Sequence, residues 1–209
     1  VLAIYWALPK TGQNILLLVA SYLFYAFVHP WLAILLAGYT LITYSTSIGI
    51  SRNPKKKKLL LAGSLVTSLA VLAGFKYPGF FIESFTQVMV LIGFKENPTL
   101  LRIFLPAGIS FYTFQSMAYV IDVYKGRFQA RTNLVDVALF ISFFPQLVAG
   151  PIERAAKLLP QFETKRSVSP ERIRDGLFLI LWGLFKKIVI ADSIAIIVDK
   201  IFLLHEPSP

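Results

Sequence analysis

Between Leu105 and Phe162 the chain is at once strongly apolar and repeatedly interrupted. Pro106-Ala107-Gly108 precedes an aromatic run, Pro145 sits near the end of another, and Gly150-Pro151 follows it directly. Proline removes a backbone donor and glycine loosens the backbone, so each of these sites breaks helical hydrogen bonding where hydrophobicity is highest. In hydrocarbon such breaks survive only where protein or water covers the freed groups. The pattern therefore demands an internal, protein-lined region.

Composition points the same way. Hydrophobic residues are 56% of 209 and mean hydropathy is +0.66, too apolar for a soluble domain that must present a charged surface. The net charge is +10, but the basic residues form short clusters between apolar runs, as cytoplasmic loops do, so no nucleic-acid partner is expected. Cysteine is absent, which excludes disulfides, a thiol nucleophile and a Cys-ligated metal. The chain opens within an apolar run, Val1 to Leu8, without Met or a charged leader. That opening is expected of a sequence truncated at its start, with Val1–Leu8 as the tail of a first span.

The charges divide the rest. Asn14–Val28 and Trp31–Ile50 read as a helical hairpin around His29-Pro30, each long enough for a core of roughly 30 Å. Arg52 to Lys58 carries five positive charges and no acid, which places it inside and the His29-Pro30 turn outside. Leu59–Phe75 then runs outward, and Phe80–Phe94 is expected to return. Further on, the basic loops Lys125–Arg131 and Arg154–Arg174 flank a single apolar run, Leu134–Ala149, and one full span cannot have both ends inside. With Pro145 and Gly150-Pro151 at its end, this run reads as re-entrant. Asn133 is its expected N-cap, with Asp136 in the first turn.

Ser169-Pro170-Glu171 is a helix start. The apolar residues from Gly176 to Phe185 span only about 15 Å before Lys186-Lys187, which suggests an interfacial helix, followed by a span from Ile188 to Leu204. The expected fold is all-α, a polytopic transmembrane protein with broken or re-entrant helices around an internal cavity. Residues 1–209 form one membrane domain, with peripheral spans in 1–100 and the broken helices and interfacial helix in 101–209.

On a helix from Ser110 to Tyr124, Tyr112, Gln115, Tyr119 and Asp122 share one narrow face, opposite Phe114, Met117, Ile121 and Tyr124. A polar stripe in a membrane helix faces protein or water. From the stripe alone, cavity lining and helix packing are equally open. Gln146 places an amide inside the second break, and Glu153-Arg154 follows it as a charged pair. Arg154 offers a fork for phosphate or carboxylate, against the simpler reading of a surface ion pair. His29 and His205, the two histidines, read as solvated residues at span ends and form no metal or nucleophile pattern. A transporter or channel with a polar midplane cavity fits these residues as well as an enzyme does.

The strings Leu105 to Gln115, Tyr119 to Tyr124, Phe143 to Arg154 and Leu159-Pro160-Gln161, in that order, resemble the membrane-bound O-acyltransferase family, most of all its alginate O-acetyltransferase branch. Ile190–Ala195 and Val198–Phe202 extend the resemblance over nearly the whole chain. Leu147-Val148-Ala149 before Gly150-Pro151 sets it apart from the D-alanyl transfer branch. The resemblance implies an enzyme moving an acyl group, acetyl above all, from a cytoplasmic thioester such as acetyl-CoA or a phosphopantetheine arm to a hydroxyl on the outer side. The acceptor would be a cell-surface polysaccharide, peptidoglycan or a relay protein.

The same resemblance implies a multi-pass protein of the bacterial inner membrane, with the lipid bilayer as a partner and no tightly bound cofactor. It also implies a cavity-lining role for Tyr112, Gln115, Tyr119, Gln146, Glu153 and Arg154. The family's active-site histidines, one in a Trp-His-Gly type string, match neither His29 nor His205. The chain is therefore expected to be the N-terminal half of the enzyme, without a catalytic residue or activity of its own.

Overall fold

In the computed structural model, which describes residues 2–28, 30–77, 79–80, 84, 92 and 108–205, every regular element is helical. After a short α1 (Leu2–Ala7) come α2 (Lys10–Val28), α3 (Pro30–Arg52) and α4 (Lys57–Lys76). They match the expected hairpin and the run that follows it. Pro30 opens α3, where its missing N–H has no intrahelical role. Among the described residues, α3 and α4 are long and apolar enough to cross a membrane, with 23 and 20 residues. The expected return through Phe80–Phe94 lies almost wholly outside the described residues.

The chain divides into two compact units, ending and beginning at Lys165 and Arg166. In the first, α5 (Ile109–Tyr124) packs against α3 and α4. A relay of hydroxyls joins the three helices: Thr113 donates to Tyr39 (3.0 Å), whose hydroxyl donates to the Ser68 carbonyl (3.0 Å). Tyr112, fully buried, sets its ring edge-on to Tyr39 and Tyr25.

The apolar run after α5 is indeed broken. It forms α6 (Leu134–Ser142) and α7 (Phe144–Ala149), interrupted at Phe143, and then an extended stretch to Arg154 before α8 (Ala155–Glu163). Asn133 caps α6 as expected, its side-chain oxygen accepting from Val135 N–H (3.0 Å). Three backbone groups at the breaks meet side chains. At the C-terminal end of α6, Gln115 Nε2 donates to the Phe140 carbonyl (2.6 Å); at the start of α7, Phe144 N–H donates to Ser21 Oγ of α2 (3.2 Å). At the second break Gln146 Nε2 donates to the Pro151 carbonyl (2.8 Å). Such cover is what an interrupted helix in an apolar interior requires.

The second unit holds α9 (Pro170–Phe185), a π-helical segment Lys186–Ala191 and α10 (Asp192–His205). Ser169 caps α9 by accepting from Arg172 N–H (3.3 Å), and the local backbone N–H, helped by the Ser169 hydroxyl, holds the exposed Glu171 carboxyl below its ordinary range. The helix does not stop at Lys186-Lys187, where the sequence suggested a boundary. No glycine or proline interrupts the backbone there, and Lys187 reaches Asp192, five residues on, at 2.8 Å. The wider π turn suits that spacing. His205 accordingly ends a helix, rather than lying in a loop; His29 lies outside the described residues.

Two glycines are required by close approach. A Cβ on Gly150 would stand 2.7 Å from Gln146 Cγ and 2.8 Å from Gln146 Cα, and Gly108 has φ +74° with Leu147 O 3.1 Å from any Cβ. Gly38 has open space around its Cβ position. We therefore expect Gly150→Ala to cost about 1–3 kcal/mol through overpacking, and Gly38→Ala to cost nothing measurable. Thermal unfolding of the detergent-solubilised protein reads the difference; equal midpoints for both variants would refute the close approach at Gly150.

Candidate functional site

The six residues singled out from the sequence do not form one open site among the described residues. Tyr112, Gln115 and Tyr119 share the inner face of α5 as expected, and all three are buried. Tyr119 packs its ring on Phe128 and Phe140 and accepts Arg131 N–H at 2.9 Å, fastening the loop after α5. Gln115 and Gln146 spend their amide nitrogens on backbone carbonyls. For Gln115, in the polar stripe, that bond joins α5 to α6, as the helix-packing reading has it; for Gln146 it is local, to a residue five positions on.

Arg154 does not simply pair with its neighbour Glu153. Its guanidinium lies 4.0 Å from the carboxylate of Asp122, as does that of Arg127. The Asp122 side chain is 11% exposed, while the two arginines are 58% and 67% exposed. A shielded carboxylate thus stands beside two largely exposed guanidiniums, each with N–H groups to spare for another partner. Lys57 stands over the Tyr124 ring at 5.2 Å, so the basic loop before α4 joins the same end of the bundle.

Sequence reasoning missed a second polar cluster. Asn14 Nδ2 on α2 donates to Asp136 Oδ1 (3.1 Å) and to the Phe162 carbonyl (3.0 Å), while Asn133 Nδ2 donates to Asp136 Oδ2 (2.9 Å). Around it, Lys10 donates to the Glu163 carbonyl (2.6 Å) and Arg131 pairs with the Glu163 carboxylate (3.0 Å). Asn14 and Asp136 are both buried, 122 residues apart in sequence. The one available signal was the polar pair Gln13-Asn14 opening an otherwise apolar run. Through this cluster the start of α6 and the end of α8 meet the same end of α2. Among the described residues no group of His, Asp or Glu is arranged to hold a metal ion.

These features can be set beside known proteins. The chain is 38% identical to a probable alginate O-acetylase AlgI of Pseudomonas putida, over 99% of this chain and 43% of that protein. The corresponding protein of Pseudomonas aeruginosa is 37% identical, over 99% and 40%. The chain belongs to the alginate O-acetylase branch of the membrane-bound O-acyltransferases. A peptidoglycan O-acetyltransferase of Helicobacter pylori is 34% identical over 88% of the chain and 39% of that protein. The chain spans about two fifths of the length of these relatives. No protein-family model matches it, and no solved structure does. With two long apolar helices and this membership, it is a membrane protein.

The geometry assigns Gln115 a backbone to cover. Gln115→Ala should leave the Phe140 carbonyl unpaired and cost about 1–3 kcal/mol, the penalty of a buried unsatisfied group. Asn14→Ala should cost a similar amount, since it strips bonds from both Asp136 and Phe162. An unfolding midpoint in detergent that is unchanged for either variant would remove that residue from the account of the broken helix.

Proposed function

We propose that this chain forms part of a membrane O-acetyltransferase that carries acetyl from a cytoplasmic thioester to a hydroxyl outside the cytoplasm. The observation that carries the reading is the likeness of 99% of the chain to proteins named alginate O-acetylase. In the transfer, the acceptor oxygen attacks the thioester carbonyl, the C–O bond forms, the C–S bond breaks, and the donor leaves as thiolate. The hydroxyl proton passes to a general base, a histidine that this reading places outside the residues of this chain. The described residues supply the scaffold: α6 and α7 held by Gln115, Ser21 and Gln146, and the basic rim around Asp122.

The same proposal makes α6–α7 a re-entrant segment of a multi-pass inner-membrane protein. Support comes from both ends of the stretch. Asp136 at the start of α6 bonds Asn14 near the start of α2; past the second break Arg154 approaches Asp122 near the end of α5, and Glu163 receives Lys10. Between them, Phe144 meets Ser21 deeper along α2. Exposed Arg127 and Arg154 suit the phosphates of acetyl-CoA or a phosphopantetheine arm. A polysaccharide or peptidoglycan suits the acceptor side, since the relatives are named for alginate and peptidoglycan; a relay protein carrying a hydroxyl suits it as well.

Two experiments test this. Because the chain has no cysteine, single reporters are clean within it: Lys56→Cys, Arg127→Cys and Lys157→Cys should label from the cytoplasmic side, and His29→Cys from the other. Labelling of Arg127→Cys and Lys157→Cys from opposite sides would make Leu134–Ala149 a full span. For the chemistry, the full-length protein goes into vesicles with labelled acetyl-CoA inside and an alginate oligosaccharide outside. Ester-linked label should appear on the oligosaccharide. Passage of solute without any ester formed would favour a transporter instead.

A further inference from the structure

Three arginines of this chain spend their guanidiniums on its own acceptors: Arg131 on Glu163 (3.0 Å), Arg172 on Ser167 (2.8 Å) and Arg174 on Asp175 (3.2 Å). Arg127 and Arg154 do not. Neither guanidinium makes a hydrogen bond among the described residues, and Asp122 is the one acid there that either pairs with, at 4.0 Å, beyond hydrogen-bond reach. Two cations thus share one anion, and that anion is shielded while they are largely exposed. The charge left over at this end of the bundle is positive, and Lys57, over the Tyr124 ring, adds to it.

The placement of both arginines is built in. At the end of α5, Gly126 takes a left-handed backbone (φ +70°), its N–H donates to the Val123 carbonyl (3.0 Å), and Arg127 N–H donates to the carbonyl of Asp122 itself (2.9 Å). This paired closure of a helix end fixes where Arg127 starts. Arg154 opens α8, its carbonyl taking the N–H of Lys157 (2.9 Å) and of Leu158 (3.1 Å). Both Nη1 atoms approach the same oxygen, Asp122 Oδ1, so they stand no further apart than twice 4.0 Å. An oxyanion oxygen sits about 2.7–2.9 Å from a charged N–H donor, so a group with several such oxygens reaches both guanidiniums at once. A carboxylate has two oxygens, which one guanidinium fork occupies; a phosphate has oxygens for both.

We propose that Arg127 and Arg154 form a two-pronged phosphate site beside Asp122, in which the bound phosphate ties the end of α5 to the start of α8. Asp122 holds the two like charges close enough to act on one group. Two sources carry the required chemistry, the phosphates of a soluble thioester donor and the headgroup of an anionic lipid at the membrane surface. That the donor is the source rests on the acetyltransferase reading; the site itself rests on the geometry.

The full-length protein in phosphatidylcholine nanodiscs is titrated with labelled coenzyme A, which undergoes no acyl transfer by itself. Arg127→Gln and Arg154→Gln should each weaken its binding about tenfold or more, and Arg154→Lys should lose most of the same, having the charge but not the fork. Pantetheine, which lacks the phosphates, should bind parent and variants alike. Lys165→Gln, which removes an equal charge beyond the far end of α8, should change little. Unfolding midpoints in detergent confirm that the exposed replacements leave the fold intact. Native mass spectrometry of the same variants in nanodiscs containing phosphatidylglycerol reads the other source. Loss of retained phosphatidylglycerol with coenzyme A binding unchanged keeps the phosphate site and assigns it to lipid. The site is overturned by no change in either ligand, by undiminished binding in Arg154→Lys, or by an equal loss in Lys165→Gln, which would mark diffuse surface charge. Neither readout requires turnover, so absence of acetyl transfer in the vesicle assay would remove the enzyme reading and leave this site standing.

Discussion

A helix interrupted inside an apolar interior must find partners for the backbone groups it frees, and the arrangement of this protein follows from how three side chains do so. Gln115 takes the Phe140 carbonyl, Ser21 takes the Phe144 N–H, and Gln146 takes the Pro151 carbonyl. Each comes from a position that a straight, unbroken bundle would leave for packing. Without them the stretch from Leu134 to Arg154 would carry several unpaired groups, each costing about 1–3 kcal/mol, against a total stability of only about 5–15 kcal/mol. The glycines make the same turn sterically possible, Gly150 by yielding space to Gln146 and Gly108 by adopting a left-handed backbone against Leu147.

Charge finishes what hydrogen bonding begins. The basic loops and the buried carboxylates of Asp122 and Asp136 lie where the broken stretch enters and leaves, so each acid sits among donors rather than facing hydrocarbon. Asp136 receives Asn14 and Asn133 and stands in the first turn of α6, where an acid also complements the helix dipole. Asp122 receives two guanidiniums, weakly, at 4.0 Å. These are cheap ways to keep a carboxylate near an apolar layer, and they leave the arginines free enough to meet a soluble anion.

Much of the local structure was legible in the residues alone. Periodicity and charge placed α2, α3, α4 and α5 within a few residues of their observed bounds, and cap chemistry identified the starts at Asn133 and Ser169. The stripe Tyr112-Gln115-Tyr119 was legible as a polar face, yet not as a set of backbone covers, because the carbonyl that Gln115 serves lies 25 residues away. The continuity of the helix through Lys186-Lys187 was hidden for another reason. Two lysines interrupt hydrophobicity without interrupting the backbone, and a hydropathy boundary is not a hydrogen-bonding boundary.

By itself the sequence determined that this chain is helical, belongs in a membrane, and breaks at Gly150, since those properties depend on composition, spacing and the conformational range of single residues. It also carried the resemblance that the known O-acetylases bear out. Only the tertiary structure decided which groups meet across the breaks: Asn14 with Asp136, Arg154 with Asp122, Ser21 with Phe144. Those pairs are 122, 32 and 123 positions apart. Local preference is blind at such separations, because a hydrogen bond is specified by where two elements come to rest and not by the identity of either residue.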